Sequence, residues 1–99
     1  MEDKITYENF RKVDMRIGRI IDVQDFPEAK KPSYRLKIDF GKEIGIKNSS
    51  AQITDYNKQD LIGKQVIAVV NFPPKQIANF RSEVLTLGIA GGKNGWLLI

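Results

Sequence analysis

Tyr34-Arg35-Leu36-Lys37-Ile38-Asp39-Phe40 alternates without a break between apolar and charged residues. A period of two sends successive side chains to opposite faces of a strand. One face is therefore buried by Tyr34, Leu36, Ile38 and Phe40, and the other carries Arg35, Lys37 and Asp39 outward. Phe40-Gly41-Lys42-Glu43-Ile44-Gly45 follows with glycines placed for a turn. Ile44, Ile46 and the polar run Lys47-Asn48-Ser49-Ser50 then start a third strand, which predicts a hairpin.

Upstream, Met15, Ile17, Ile21 and Val23 are apolar among polar Arg16, Asp22 and Gln24, the pattern of a long first strand with its odd positions toward a core. Arg19 and Ile20 break the pattern, and Gly18 is the expected bulge that lets the strand change faces. Downstream, the segment from Thr54 to Gly63 mixes capping residues with a terminal glycine and predicts a short helix. Gln65 to Phe72, apolar on both faces, predicts a central covered strand. Pro73-Pro74 stops it, because proline cannot donate to a ladder, and a long connection is expected to about Glu83. Val84 to Ala90 resumes strand character. Gly91-Gly92-Lys93-Asn94-Gly95 has the Asn-Gly chemistry of a tight hairpin turn before a last strand from Trp96. Near the N-terminus, Thr6 caps one helical turn that runs to Lys12.

Five or six strands, no repeat and no parallel βαβ rhythm imply an all-β architecture and a single domain over residues 1–99. The expected form is a five-stranded Greek-key barrel of the OB-fold class. It has a short helix between strands three and four and a short N-terminal helical turn.

The composition narrows the chemistry. A hydrophobic fraction of 41% suffices for one modest core. Cysteine and histidine are both absent, which removes disulfides, thiolate and imidazole metal ligands and the commonest general base. No catalysis, no cofactor and no metal are expected. The start, Met1-Glu2-Asp3-Lys4-Ile5, is charged, and the longest apolar run, Val66 to Val70, falls far short of the ~20 residues of a membrane span. A cytoplasmic protein without membrane insertion is the expectation. Sixteen Lys and Arg against twelve Asp and Glu leave a net charge of +4, which favours an anionic partner and is equally compatible with an ordinary solvated surface.

OB barrels bind oligonucleotides on the face of strands two and three and on the loops joining strands one to two and four to five. Lys30 and Lys31 lie in the first of those loops, Lys47, Asn48 and Ser49 on the third strand, and Asn71, Lys75, Arg81 and Ser82 in the second loop. Cations with neutral donors suit a phosphodiester backbone, and an exposed Phe26 or Phe80 would stack on an unpaired base for ~1–3 kcal/mol. The same residues also read as a solvated strand face and as plugs of the barrel ends. Gly88-Ile89-Ala90-Gly91-Gly92-Lys93-Asn94 imitates a phosphate loop, but Asn94 stands where Ser or Thr is needed and no helix follows.

Phe26-Pro27-Glu28-Ala29, Glu43-Ile44-Gly45-Ile46-Lys47, Ser49-Ser50-Ala51-Gln52-Ile53-Thr54, Gln65 through Pro74 and Ser82-Glu83-Val84-Leu85 resemble the CsaA family of export-related chaperone proteins. The likeness runs from about Phe10 to Leu98. CsaA is part of a wider tRNA-binding OB-fold group that includes the C-terminal appendix of many methionyl-tRNA synthetases. The resemblance implies a homodimer and two candidate ligands, tRNA and exposed segments of unfolded preproteins. For tRNA, Lys30, Lys31, Lys47, Lys75 and Arg81 are expected on phosphates, with Asn48, Ser49, Asn71 and Ser82 beside them as neutral donors. For polypeptide, the expected groove is Phe10, Val13, Phe72, Ile77 and Phe80. Features of the wider group fall on Asn71, Pro74 and Ser82, but its later basic residues correspond to Gln76 and Ala78, leaving Lys75 and Arg81 as the nearest substitutes. Relatives continue past the position of Ile99 into a polar tail with a final strand.

Overall fold

The alternating segment forms strand β2, Tyr34–Asp39, with Tyr34, Leu36 and Ile38 buried and Lys37 and Asp39 exposed. The structure, a computed structural model, describes residues 1–91 and 95–99. β2 lies between β1, Met15–Asp25, and β3, Ile46–Ala51; β1 continues the sheet to β4, Gln65–Val69, and β4 to β7, Leu85–Thr86, every pair antiparallel. The glycines of the turn between β2 and β3 sit where only glycine is comfortable, Gly41 at φ +90° and Gly45 at φ +83°.

The sheet curls until its two edges meet. Across that seam the Glu83 N–H donates to Asn48 O at 2.8 Å, the Asn48 N–H to Glu83 Oε1 at 2.9 Å and the Ser50 N–H to Ser82 Oγ at 3.1 Å. Inside it, the Ser49 hydroxyl lies 3.2 Å from Val84 O and 2.7 Å from Thr86 Oγ1. The result is a nearly closed five-stranded antiparallel barrel of OB type, as the strand pattern predicts. Helix α1, Tyr7–Arg11, is capped by Thr6, and α2, Lys58–Leu61, occupies the predicted place between β3 and β4. Leu61 stoppers the barrel, fully buried with Ile20, Leu36, Ile38 and Val66.

β1 departs from expectation. Met15, Ile17 and Ile21 face outward, while Gly18, Ile20 and Val23 face the core. The bulge lies at Ile21, where the register to β2 slips between Ile20 and Asp22, and not at Gly18. Gly18 is required for close approach instead: a Cβ there would lie 2.5 Å from Ile38 Cγ2 and 2.7 Å from the Phe40 ring. The freed backbone of Ile20 bonds Lys64 O and the Gly63 N–H beyond α2.

The connection after Pro74 is a second departure. It folds into a hairpin of β5, Lys75–Ile77, and β6, Phe80–Ser82, turning through Ala78 at φ +51°. The expected strand from Val84 to Ala90 divides as well. Its second half is β8, Gly88–Gly91, paired with β9, Gly95–Leu98, in a separate two-stranded sheet. Of the predicted turn, Gly92, Lys93 and Asn94 lie outside the described residues.

Candidate nucleic-acid interface

The loop after β1 and the β5–β6 hairpin are fastened to each other by aromatic packing. Phe26, at the root of the loop, is buried, and its ring meets that of Phe80 edge to face with centroids 5.4 Å apart. The Arg35 guanidinium covers both rings, 5.5 Å from Phe26 and 6.0 Å from Phe80, while its Nε donates to Asp25 O. The two phenylalanines therefore hold the walls of a site in place; the buried Phe26 is closed to stacking, while the half-buried Phe80 borders a smaller depression.

Between those walls opens a groove of about 1110 Å³. Lys30 and Lys31 line it from the loop and Lys75 from the hairpin, with Ser50 and Gln52 of the β3 region and Ser82 as neutral groups between them. All three lysines are exposed. Ion pairs among the described residues involve Arg11, Arg16, Lys47 and Lys58, so these three have no carboxylate partner within 4.0 Å there. Of the acidic groups at the groove, Glu83 is engaged at the barrel seam and Glu28 lies on the loop wall. Phe72, Pro73, Ile77, Ala29 and Leu85 add an apolar side to the same groove.

The remaining candidates lie elsewhere. Ser49 is fully buried with its hydroxyl in the seam, which removes it from any ligand surface. Lys47 stands 4.0 Å from Glu83. Asn71 is a latch: its side chain donates to Lys12 O at 2.6 Å and accepts from the Asp14 N–H at 3.0 Å, tying the N-terminal segment to the end of β4. Arg81 pairs with Gln76, one step off the Lys75 and Ser82 pair, and does not line the groove. Asn48 opens onto a smaller depression shared with Arg35 and Lys37. Of the apolar set, only Phe72 and Ile77 reach the groove; Phe10 and Val13 stay on the N-terminal segment and Phe80 lines the smaller depression. Among the described residues no group of three His, Cys, Asp or Glu side chains is placed to hold a metal ion, and no helix is long and apolar enough to cross a membrane.

Residues 15–98 match the family model described as "Putative tRNA binding domain". The chain belongs to this tRNA-binding domain family. Among solved structures it is similar to the CsaA chaperone protein of Picrophilus torridus, with 62% identity and a TM-score of 0.94 over 97% of this chain and 89% of that one. Chaperone CsaA of Bacillus anthracis strain Ames gives 50% identity and a TM-score of 0.90 over 98% and 88%. Within the tRNA-binding domain family the chain thus groups with the CsaA proteins. Curated relatives include the methionine–tRNA ligases of Nanoarchaeum equitans, 41% identical over 96% of this chain, and Thermococcus onnurineus, 35% identical over 96%. The chain spans only 12% and 13% of those two proteins.

Proposed function

We propose that this domain binds folded tRNA, without catalysis, in the groove between the loop after β1 and the β5–β6 hairpin. One observation carries the reading: Lys30 and Lys31 from one loop and Lys75 from a distant hairpin, without carboxylate partners among the described residues, line one groove together with the neutral Ser50, Gln52 and Ser82. Such a surface suits phosphates and recognises shape and charge more than base identity. Ser49 lies inside the barrel seam and Asn71 ties the N-terminal segment to the end of β4, while Lys47 stands beside Glu83 and Arg81 flanks the groove as an outer cation. Filter binding of tRNA across a salt series tests it. Affinity that falls steeply with salt is expected, and affinity indifferent to salt rejects it.

A second reading rests on the apolar side of that groove. Phe72, Pro73 and Ile77 favour occupation by an extended hydrophobic stretch of an unfolded or exported polypeptide. Suppression of aggregation of an unfolded client at stoichiometric protein supports it, and no suppression removes it.

A homodimer is favoured by exposed apolar side chains on the outer face of β1 and β7. Met15 and Leu85 flank the buried Val69 across β1, β4 and β7, with Met15 42% and Leu85 48% exposed and Ile17 beside Met15 at 63%. A second copy on this face, which borders the groove at Leu85, doubles the footprint on one tRNA. A domain of this kind works in the cytoplasm, where tRNA is found.

A further inference from the structure

A second depression, of about 150 Å³, opens on the outer face of β1, β2 and β3 and shares no lining residue with the groove. The strand register sets Asp22 opposite Lys37 and Lys37 opposite Asn48, with Gln24 opposite Arg35 in the adjoining row. Asp22 and Lys37 carry opposite charges on neighbouring strands, about 5 Å apart at the backbone. Even so, no ion pair within 4.0 Å joins them among the described residues. Asp22 Oδ2 accepts from Gln24 Nε2 at 3.1 Å instead. Phe80 and the Arg35 guanidinium stacked against it supply planar groups beside the opening.

The volume corresponds to roughly five waters at about 30 Å³ each, room for the edge of one base and not for a duplex. Arg35 and Lys37 would draw a bare phosphate, but the Asp22 carboxylate opposes one. What fits is a planar group offering adjacent N–H donors to the carboxylate and an acceptor to the ammonium. Guanine has that edge, with N1–H and N2–H₂ beside O6. Adenine and cytosine place an acceptor ring nitrogen where the carboxylate needs a donor, and uracil flanks its single donor with two acceptors. Unpaired RNA bases are commonly read in this way, stacked on an aromatic or guanidinium plane and bonded along the Watson–Crick edge.

We infer that this depression receives the base of one unpaired guanosine of the bound RNA, Asp22 accepting from N1 and N2 and Lys37 donating to O6. The inference rests on the tRNA reading and adds base selectivity to it. The test is an NMR titration with hexaribonucleotides, all-adenosine or carrying a single guanosine, alongside GMP and inorganic phosphate, following the side-chain amides of Gln24 and Asn48. The guanosine oligonucleotide is expected to bind about ten-fold tighter than the adenosine one. Asp22→Asn is expected to abolish that preference while tRNA itself still binds with its salt dependence. Lys37→Met should weaken the same preference. Equal affinity for the two oligonucleotides, or amide shifts produced by phosphate alone, would overturn the guanine assignment. GMP binding as tightly as the oligonucleotide would overturn RNA as the source of the base. Loss of tRNA binding by the unaltered protein would instead strike down the groove reading.

Discussion

Gly18 and Ser49 show how much of this barrel depends on single atoms. A methyl group at Gly18 would overlap Ile38 and the Phe40 ring, so Gly18→Ala is expected to cost about 1–3 kcal/mol. Thermal unfolding would register that as a fall of roughly 4–8 °C per kcal/mol. Ser49→Ala leaves Val84 O and Thr86 Oγ1 facing each other without the hydroxyl, at a cost of about 1–3 kcal/mol. Because that side chain is buried, tRNA affinity of the folded variant is expected to be unchanged in a filter assay. Asp14 contributes to the acid limb of stability. The Arg16 guanidinium, donating to it at 2.7 Å, holds its carboxyl below the ordinary value of 3.8. A lowered folded value means the contribution is complete above 3.8 and vanishes as pH falls through the folded value. The difference in melting temperature between the protein and its Asp14→Asn variant should therefore shrink below that pH. Neither the contact at Gly18 nor the burial of Ser49 was legible in the sequence, since serine in a polar run reads as surface.

The β5–β6 hairpin is the element that sequence reading missed. Pro73-Pro74 announced a break, and no Asn-Gly pair marked the turn that follows. The chain turns instead through Ala78 at φ +51°, braced by Gln76 Nε2 donating to Ala78 O at 3.0 Å. A left-handed non-glycine residue costs about 1–2 kcal/mol, while glycine adds about 0.4–1 kcal/mol of unfolded-state entropy. Ala78→Gly is thus expected to stabilise by about 0.5 kcal/mol, a small rise in midpoint by urea denaturation. β1 was misread for a different reason. Met15 and Ile17 alternate with Arg16, which points their face to the core by pattern alone, but both faces are apolar at Ile20-Ile21 and the slip at Ile21 exchanges them there. β2, with a charged residue at every second place, admitted one reading and keeps it.

For the molecule as a whole, a charge of +4 matters less than where it gathers. Each phosphate neutralised contributes a slope of about −0.7 to −0.9 in log affinity against log salt. Replacing Lys30, Lys31 and Lys75 together by Gln is expected to flatten the slope for tRNA by about 2 to 3, whereas Lys47→Gln, beside Glu83, should leave it nearly unchanged. Filter binding at several salt concentrations separates the two. The amino-acid sequence by itself determined the period-two strands, the absence of thiol and imidazole chemistry and the family likeness, because each is written in neighbouring residues. Tertiary structure alone decided that Lys30 and Lys31 line one groove with Lys75, that Ser49 lies inside the seam, and that Met15, Ile17 and Leu85 stay exposed. Those outcomes follow from barrel closure, in which a bulge and a seam between distant strands set each side chain's direction, and no local pattern encodes them.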